Sequence, residues 1–585
     1  MDCAPIGFCP DIKQNMKMKI KYLTIIILCL SAAVSCNIGS SAGADDELPA
    51  NEVDAHYVGQ AVGNFDASEW YPGGQLGTTT NVTEGCYEDE TPAVTIMGLT
   101  AAFNNGEASF EHNFTINTEP FRGLGPAYVR SSCLDCHPGY GHGKRQDEYR
   151  AQFGNGYLLV VYHPVDGANS DDGPYIAEVT GMPQTKAVAP FLPPIDEDKI
   201  VINWIPVSAM KSGIPMEFPD GEKYSLIYPE LHIPQDAFNT DPVPENLAFR
   251  LESTIGIIGS GLLDAIPQDS IRAQYQKEAQ FIELNPAFWD KEKGDFADGA
   301  WYTLAAGRYA DGSEAPAGTK MLKRFTYAMT RASLQDGPGA NAIWNITNVT
   351  RPDRMNLYTT AAWAKAMSQN PDVIAAIKAD PDSPYYADGT DEGISAAVLA
   401  LLSPSTDQFD NEYHNFSPEM SATQYYNFLV WQRGLSIPRA RNLNRESVQK
   451  GKRLFTKLGC ASCHRPKWTT GDDNYWAPEI IEGKPLPRYQ NQEIYPYTDM
   501  IHHRLYMENG IHGSWCRTTP LWGRGLSRAN TGAEERLHDC RARNVVEAIM
   551  WHAYSRESEA YESAYNFYLL PKEDRDAVVE FIDAI

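Results

Sequence analysis

Helical spacing of apolar residues is clearest in the last quarter of the chain. The segment from Arg445 to Leu458 and the segment after Pro571 both repeat apolar residues every three or four positions, as a helix with one buried face requires. Proline suits the first turn of a helix. The apolar faces consist of Val448, Leu454, Phe455 and Leu458, and of Val578, Phe581, Ile582 and Ile585. Two amphipathic helices are therefore predicted at the C-terminal end.

The pattern changes farther upstream. Residues 61–240 contain short alternating runs such as Tyr157–Tyr162, which predicts a strand, together with dense Pro, Gly and Asp positions. Residues 241–440 favour helices, for example over Leu357–Met367 and Asp372–Lys378. We expect a mainly α fold with some short strands and loop-rich stretches. Its predicted parts are residues 61–240, an inserted helical region at 241–440, and residues 441–585.

The first 35 residues have the pattern of an export signal. Lys17, Lys19 and Lys21 precede an apolar run over residues 22–34, which suits a secretory signal and is short for a membrane span. The run ends in Ala33-Val34-Ser35-Cys36, which resembles the lipobox of bacterial lipoproteins. We expect residues 1–35 to be a lipoprotein signal peptide, Cys36 to carry the lipid, and residues 36–60 to form a flexible tether. The protein would then be anchored to the bacterial cell envelope, at the outer membrane, facing the periplasm or the surface. Ordinary signal cleavage, which leaves a soluble periplasmic protein, is the alternative.

Composition narrows the classes of partner. The chain has 585 residues, of which 43% are hydrophobic and 21% charged, so it can bury a large core. Its net charge of -27 repels phosphate backbones, which argues against nucleic acid and favours a cationic partner such as a basic electron-transfer protein. A mean hydropathy of -0.40 argues against a polytopic membrane protein.

Two segments carry the same C-x-x-C-H pattern, namely Cys133-Leu134-Asp135-Cys136-His137 and Cys460-Ala461-Ser462-Cys463-His464. In c-type haem attachment, two thiols add to the vinyl groups of haem, and the adjacent histidine binds the iron. A thioredoxin-like thiol pair, half of a zinc site or structural disulfides could use the cysteines alone. Two copies in an exported chain favour haem. We predict two covalently bound haem c groups with the four cysteines as attachment sites and His137 and His464 as iron ligands.

Three other cysteines remain after the export signal and the lipid site. Cys516 and Cys540 are close in sequence in an exported region, so a disulfide is predicted between them. A catalytic thiol pair is the alternative. No state is assigned to Cys86.

Several stretches resemble the di-haem oxidoreductases once labelled predicted thiol oxidoreductases, which are relatives of the bacterial di-haem cytochrome c peroxidases. The matching stretches are Gly123–Cys133, Gly261–Pro267, Gly451–Cys460, Arg517–Gly523, Leu537–Arg543 and Glu547–His552. The resemblance runs from about residue 61 to the end and is weak between 290 and 440. It implies two cytochrome c-like haem domains, one haem for electron transfer and one for reaction with substrate. It also implies a calcium ion between the domains, for which no ligands are assigned.

The chain departs from this family pattern at two positions. Leu537 stands where the relatives carry a Met or Tyr that binds the second iron, and leucine cannot bind iron. Cys540 stands where the related motif has Gly, which supports a bridge to Cys516. The sixth ligand of each iron is therefore the main unknown, because an iron with two protein ligands moves electrons and an open iron binds peroxide.

Histidine and methionine side chains after the second motif are the candidates for this ligand: Met500, His502, His503, Met507, His512 and His538. We favour His503 as the distal ligand of the second haem, although each of these could be an ordinary core or surface residue. For the first haem, His142, His163 and His112 are weaker candidates, and an open site is compatible with the sequence. Trp522 and Trp551 could pack on a porphyrin, carry electrons between the haems, or belong to the core.

The functional hypothesis is a di-haem c-type oxidoreductase that passes electrons between its haems and reduces a small oxidant such as peroxide. A small electron-transfer protein or a quinol-linked donor would supply the electrons. A peroxidase also needs a distal acid–base group, and the sequence does not say which Glu would serve. A non-enzymatic electron-transfer cytochrome of the envelope is the main alternative, and thiol oxidation through Cys516 and Cys540 is a weaker one.

Overall fold

The computed structural model describes most of the chain after residue 53. The described residues are 54–115, 124–149, 156–164, 176–303, 307–308, 313–315, 317–332, 334, 344–350, 357–404, 419–474, 477–478 and 484–585. The predicted signal peptide, the lipidation site Cys36 and most of the predicted tether lie outside these residues.

Helices occur along the whole described chain, and most of them are short. They are α1 Gly74–Gly77, α2 Pro92–Ile96, α3 Thr100–Glu111, α4 Ser260–Asp264, α5 Gln268–Glu278, α6 Ala361–Gln369, α7 Pro371–Lys378, α8 Asp391–Leu402, α9 Ala422–Gly434, α10 Glu446–Leu458, α11 Ser527–Thr531, α12 Val545–His552, α13 Tyr561–Tyr568 and α14 Lys572–Ala584. In the part of the chain that the structure describes, no helix has the length and apolar character needed to cross a membrane.

The strands are scattered and pair in small sheets. They are β1 Thr78–Thr79, β2 Ala127–Tyr128, β3 Tyr157–Tyr162, β4 Lys186–Ala187, β5 Val201–Pro206, β6 Ile227–His232, β7 Ala248–Ser253, β8 Trp289–Asp290, β9 Asp295–Phe296, β10 Trp301–Thr303, β11 Gly307–Arg308, β12 Glu314–Ala315, β13 Lys320–Leu322, β14 Ile437–Pro438, β15 Trp468–Thr469, β16 Ala477–Pro478, β17 Glu493–Ile494, β18 His502–Arg504 and β19 Trp515–Arg517. The longest antiparallel pairs are β3 with β7 and β5 with β6. β18 pairs with β19, which places His503 opposite Cys516.

The two amphipathic helices predicted at the C-terminal end are confirmed as α10 and α14. Arg445 precedes the first turn of α10, and Pro571 precedes the first turn of α14. The helices pack closely at Gly451, where a Cβ atom would lie 1.9 Å from the Ala577 carbonyl oxygen. Any larger residue at position 451 would force the helices apart. This contact supports α10, which leads directly into the second C-x-x-C-H segment.

The expectation for the middle of the chain is correct only in part. Strand β3 and helices α6 and α7 appear where alternation and helical spacing predict them. Region 241–440, predicted to be helical, also contains strands β7 to β14. The turn between β8 and β9 shows why a hairpin forms there. The Asp290 carboxylate accepts hydrogen bonds from the N–H groups of Glu292 and Lys293, and Gly294 adopts a positive φ of 63°. Such turn chemistry favours a hairpin over a helix.

Segments far apart in sequence pack across the predicted boundaries. β1 pairs in parallel with β14. α3 lies against α9, where a Cβ on Gly106 would meet the Asn427 carbonyl oxygen at 2.1 Å. The rings of Phe110 and Trp431 on these helices are 4.3 Å apart between centroids. The packing of α3 against α9 matters for function because both rings line a cavity beside the first C-x-x-C-H segment. The cytochrome c-like character of the two haem regions stays a prediction.

The predicted tether is too long at its C-terminal end. Asp54 is fully buried, pairs with Arg439 Nη1 at 3.1 Å and accepts the backbone N–H of Asn442 at 3.0 Å. The Gln60 carbonyl accepts a hydrogen bond from Trp70 Nε1 at 2.9 Å. Residues 54–60 therefore belong to the folded part, because a buried carboxylate needs the fixed partners that these contacts provide.

Candidate functional site

The N-terminal C-x-x-C-H segment forms one tight turn. Ser132 caps the short 3-10 helix Cys133–Asp135, since its Oγ accepts the Leu134 N–H at 3.3 Å and its own N–H donates to the Asp135 carboxylate at 3.2 Å. The His137 N–H donates to the Cys133 carbonyl oxygen at 3.0 Å. The turn brings both thiols and the imidazole to the wall of one cavity.

We call this space, of about 330 Å³, the N-terminal cavity. Much of its wall is apolar, including Phe110, Leu159, Ile257, Phe325 and Trp431. Nδ1 of His137 is buried and has no hydrogen-bond partner among the described residues, and burial lowers the His137 pKa to about 4. A neutral imidazole beside two thiols on an apolar wall fits a covalently attached haem with histidine as iron ligand.

The thiols of this segment do not resemble those of a redox-active thiol pair. Burial raises the pKa of Cys133 to about 12 and that of Cys136 to about 11. Thioredoxin-like enzymes instead depress a cysteine pKa, because the thiolate is the nucleophile. The electrostatic environment therefore favours haem attachment over the thioredoxin-like alternative.

A carboxylate and an imidazole lie on the wall of the same cavity. Glu252 comes from β7, and His512 comes from the short turn His512–Ser514. Glu252 Oε2 is 3.6 Å from His512 Nε2, and both side chains are largely buried. His512 was a candidate ligand for the second haem, but the structure places it beside the first C-x-x-C-H segment.

The C-terminal C-x-x-C-H segment starts at the end of α10. Gly459 ends the helix with a φ of 94°, a left-handed conformation that glycine adopts without strain. The short 3-10 helix Cys460–Ser462 follows, and the His464 N–H donates to the Cys460 carbonyl oxygen at 3.0 Å. The fold of this segment thus repeats that of the first.

A second cavity of about 300 Å³, the C-terminal cavity, lies beside this segment. Its apolar lining includes Phe455, Leu505, Leu521, Leu537 and Ile582, and its histidines are His464, His503, His538 and His552. His464 Nδ1 donates to the Tyr497 carbonyl oxygen at 3.0 Å, which leaves the lone pair on Nε2. Burial lowers the His464 pKa to about 4, so the ring is neutral at pH 7. These residues also fit a covalently attached haem.

Comparison with known families agrees with this geometry. Residues 406–585 match the family described as "Di-haem oxidoreductase, putative peroxidase". This match supports a relation of the C-terminal part of the chain to the di-haem oxidoreductase family. The match includes α10, the second C-x-x-C-H segment and α12 to α14, and does not extend to Cys133. No curated protein matches the chain.

The structure does not support His503 as the predicted distal iron ligand. His503 Nδ1 lies 2.7 Å from Glu559 Oε2, and Nε2 lies 2.8 Å from Asp499 Oδ2. Burial opposes the charged ring, yet the Cys463 sulfur and the Asp499 carboxylate hold the His503 pKa well above its usual range. A ring that donates a proton from each nitrogen has no lone pair for iron. Cys463, Asp499 and His503 could together hold a free metal ion, but haem attachment would convert the sulfur to a thioether.

The predicted disulfide is absent from the structure, in which Cys516 and Cys540 are both free. Cys540 Sγ lies 3.2 Å from both the Gly143 carbonyl oxygen and Ser253 Oγ. Cys516 Sγ instead lies 3.7 Å from His538 Nδ1 and lines the C-terminal cavity. The two thiols are held by different neighbours, so nearness in sequence was a poor guide to their pairing.

Tyr327 lines both cavities and is 4% exposed. Its hydroxyl lies 2.8 Å from His142 Nε2 and donates to the Leu537 carbonyl oxygen at 3.3 Å. His142 Nδ1 meets the Gly143 carbonyl oxygen at 2.9 Å, so both nitrogens of His142 are already engaged. His142 therefore acts as a structural residue between the cavities. The prediction that the first haem iron has an open sixth position does not depend on it.

The two tryptophans considered as electron carriers line neither cavity. Trp551 packs on the Arg541 guanidinium, with 4.6 Å from Cζ to the ring centroid, and near Tyr554. Trp522 lies on a separate small cavity with His142 and Arg524. Both are buried core residues.

The sequence analysis did not predict the position of four residues that line these cavities. Glu252, Tyr327 and His512 line the N-terminal cavity, and His552 lines the C-terminal cavity. Tyr327 lies where the family resemblance is weak. Of these residues, His552 could have been found from the sequence, because it ends Glu547–His552, one of the stretches that resemble the family.

Proposed function

We propose that this chain is a di-haem c-type oxidoreductase that accepts electrons from a small electron-transfer protein or a quinol-linked donor and reduces hydrogen peroxide or a similar small oxidant. One observation carries the proposal: each C-x-x-C-H turn opens on its own largely apolar cavity, and Tyr327 lines both. The di-haem oxidoreductase family match supports the oxidoreductase class. The strongly negative net charge suits a cationic donor protein.

The residues that would hold the cofactors are those of the two turns. Cys133 and Cys136, and likewise Cys460 and Cys463, would add their S–H groups across haem vinyl groups and form thioethers, without loss of electrons. His137 and His464 would bind iron through the ring nitrogen that carries the lone pair. When bound, haem supplies one-electron redox chemistry, so that hydrogen peroxide, two electrons and two protons yield two water molecules as the O–O bond breaks.

The acid–base pair of the N-terminal cavity supports peroxide reduction there. Glu252 Oε2 and His512 Nε2 are 3.6 Å apart, which is too far for a direct hydrogen bond but allows a proton to pass through one water molecule. Glu252 would take a proton from one peroxide oxygen and deliver it to the other, which leaves as water. His512 orients the carboxylate and supplies the next proton. The largely apolar wall excludes bulk water from this transfer.

A non-enzymatic electron-transfer cytochrome is the second candidate, and one observation favours it. His512 lines the same cavity as His137, so it could close the first haem as a sixth ligand. Exposure of the purified holoprotein, oxidised and half-reduced, to cyanide and peroxide separates the two functions. Ligand binding and peroxide turnover with a reduced donor support the enzyme. Failure of both in each redox state supports the carrier and overturns the enzyme.

Haem stoichiometry tests the attachment sites directly. Replacing Cys460 and Cys463 with Ser is expected to lower the thioether-linked haem content from two to one per chain, since serine cannot add to a vinyl group. The alkaline pyridine spectrum of the reduced protein measures this content. Replacing Cys516 and Cys540 with Ser is the matched control and should leave it at two. A wild-type protein without thioether-linked haem would overturn the proposed function.

Tyr327 is expected to carry electrons between the two cavities. Tyr327→Leu, which removes the aromatic ring, should slow inter-haem electron transfer several-fold, whereas Tyr327→Phe keeps the ring and should retain most of the rate. Relaxation of the half-reduced protein after a temperature jump measures the rate. Unchanged kinetics in a folded Tyr327→Leu protein with full haem content would show that the path avoids this residue.

The location of the protein belongs to the same proposal. A lipid on Cys36 would hold the chain at the cell envelope, where export also permits c-type haem attachment. The calcium ion implied by the family resemblance would add rigidity between the haem regions.

A further inference from the structure

Helix α12 contributes His552 to the C-terminal cavity, which His464 also lines. Val545, Ala548, Ile549 and His552 all line this cavity. They are spaced at i, i+3, i+4 and i+7, so they form one face of the helix. The face turned toward the space beside Cys460 and Cys463 is therefore apolar except for the imidazole at its C-terminal end.

The hydrogen bond of His552 determines which ring nitrogen keeps a lone pair. Its Nδ1 lies 2.6 Å from the Ala548 carbonyl oxygen, one helical turn earlier. A carbonyl oxygen only accepts hydrogen bonds, so Nδ1 carries the proton and Nε2 the lone pair. Within the described residues, Nε2 makes no hydrogen bond.

The same arrangement occurs at His464, whose Nδ1 donates to the Tyr497 carbonyl oxygen. Iron-binding histidines usually donate their other ring N–H to a backbone carbonyl or a carboxylate, which fixes the tautomer and the ring orientation. The cavity thus has two prepared imidazole ligands.

The other histidines of this cavity lack that preparation. His503 is held between Asp499 and Glu559. His538 Nε2 lies 3.4 Å from the Asp539 carboxylate, which itself pairs with Arg541 at 2.7 Å. Leu537, which stands at the family's ligand position, offers no lone pair.

We propose that His552 is the second axial ligand of the C-terminal haem, which becomes a bis-histidine, low-spin electron-transfer centre. The proposal rests on haem attachment at Cys460 and Cys463. It explains how the iron can have two protein ligands although Leu537 stands where the relatives carry a Met or Tyr ligand. It also assigns electron entry to the C-terminal haem and leaves peroxide to the N-terminal cavity, because a six-coordinate iron has no free position for substrate.

Electron paramagnetic resonance of the oxidised holoprotein tests this ligand. The wild type should show a low-spin bis-imidazole signal equal to one haem per chain. In His552→Ala this signal should be replaced by a high-spin signal, and added free imidazole should restore it. His552→Met should remain low-spin with a higher midpoint potential, because methionine ligation raises the potential of a c-type haem.

The control is His538→Ala, which removes another histidine of the same cavity and should leave the low-spin signal and the potential unchanged. Haem content is measured for every variant. A wild-type low-spin signal in His552→Ala, an unchanged potential in His552→Met, or loss of the signal in His538→Ala alone would each overturn the assignment. Absence of thioether-linked haem from the wild type would instead overturn the proposed function, so the two failures are distinguishable.

Discussion

Glu252→Gln is expected to lower kcat for peroxide reduction by about 10²- to 10⁴-fold, the usual contribution of a positioned acid–base group. Glutamine has nearly the same shape but cannot accept and return a proton. Glu252 lies in β7 with its backbone paired to Leu158 of β3, so the substitution should leave the strand and the haem content intact. The carboxylate is expected to act on a peroxide held in the N-terminal cavity, where His512 is its imidazole neighbour.

Steady-state turnover with a reduced donor protein measures this effect. Peroxide binding by the variant should change little. Glu230→Gln is the matched control, because Glu230 is exposed on the nearby strand β6. Wild-type turnover in Glu252→Gln would mean that the proton is moved by another group and that the assignment of Glu252 is wrong.

Arg433→Met is expected to lower the free energy of unfolding by about 3–5 kcal/mol, the typical cost of leaving buried charges without their partner. Arg433 is buried in α9, and its Nη1 donates to Asp264 Oδ2 at 2.9 Å. Its Nη2 pairs with Asp473, and its Nε donates to the Pro487 carbonyl oxygen at 2.6 Å. The guanidinium thus joins α9 to α4 and to the segment around Asp473, and its loss leaves two buried carboxylates facing each other.

The pKa of Asp264 determines how this loss in the free energy of unfolding depends on pH. Burial raises the Asp264 pKa to about 6, although Arg433 and Arg324 oppose the shift. A carboxyl with a raised folded-state pKa stabilises the fold when protonated and loses this contribution as pH rises through the folded value. Without Arg433 the pKa rises further, so the defect should be largest at neutral pH and smaller at mildly acidic pH.

Equilibrium denaturation at several pH values measures both effects. Arg453→Met is the matched control: Arg453 is exposed on α10, and such a surface change should stay within about 0.5 kcal/mol of the wild type. Adding Asp264→Asn to Arg433→Met should recover part of the loss, because one unpaired charge disappears. A loss below about 1 kcal/mol in Arg433→Met would show that the buried ion pairs contribute little.

The parts of the candidate site that sequence could predict are those with local chemistry. Two thiols and a histidine within five consecutive residues define each proposed haem attachment segment, whatever surrounds it. The stripe of apolar residues in α10 and α14 likewise predicts both helices and the face that each buries. The expectations that failed concerned pairs of distant residues: His503 meets Glu559 far along the chain, and Cys540 meets Gly143 and Ser253 instead of Cys516.

The amino-acid order by itself determined which two segments carry the C-x-x-C-H pattern and which helix leads into the second, because covalent spacing and amphipathic periodicity act over a few residues. Only the tertiary structure decided which side chains share a cavity with each segment. Glu252, Tyr327 and His512 come from strands and loops far from Cys133 in sequence, and no local pattern marks them. Their proximity results from the packing of α3 against α9 and the pairing of β3 with β7. Contacts of this kind depend on how buried surfaces fit together, which a single sequence does not express in any local pattern.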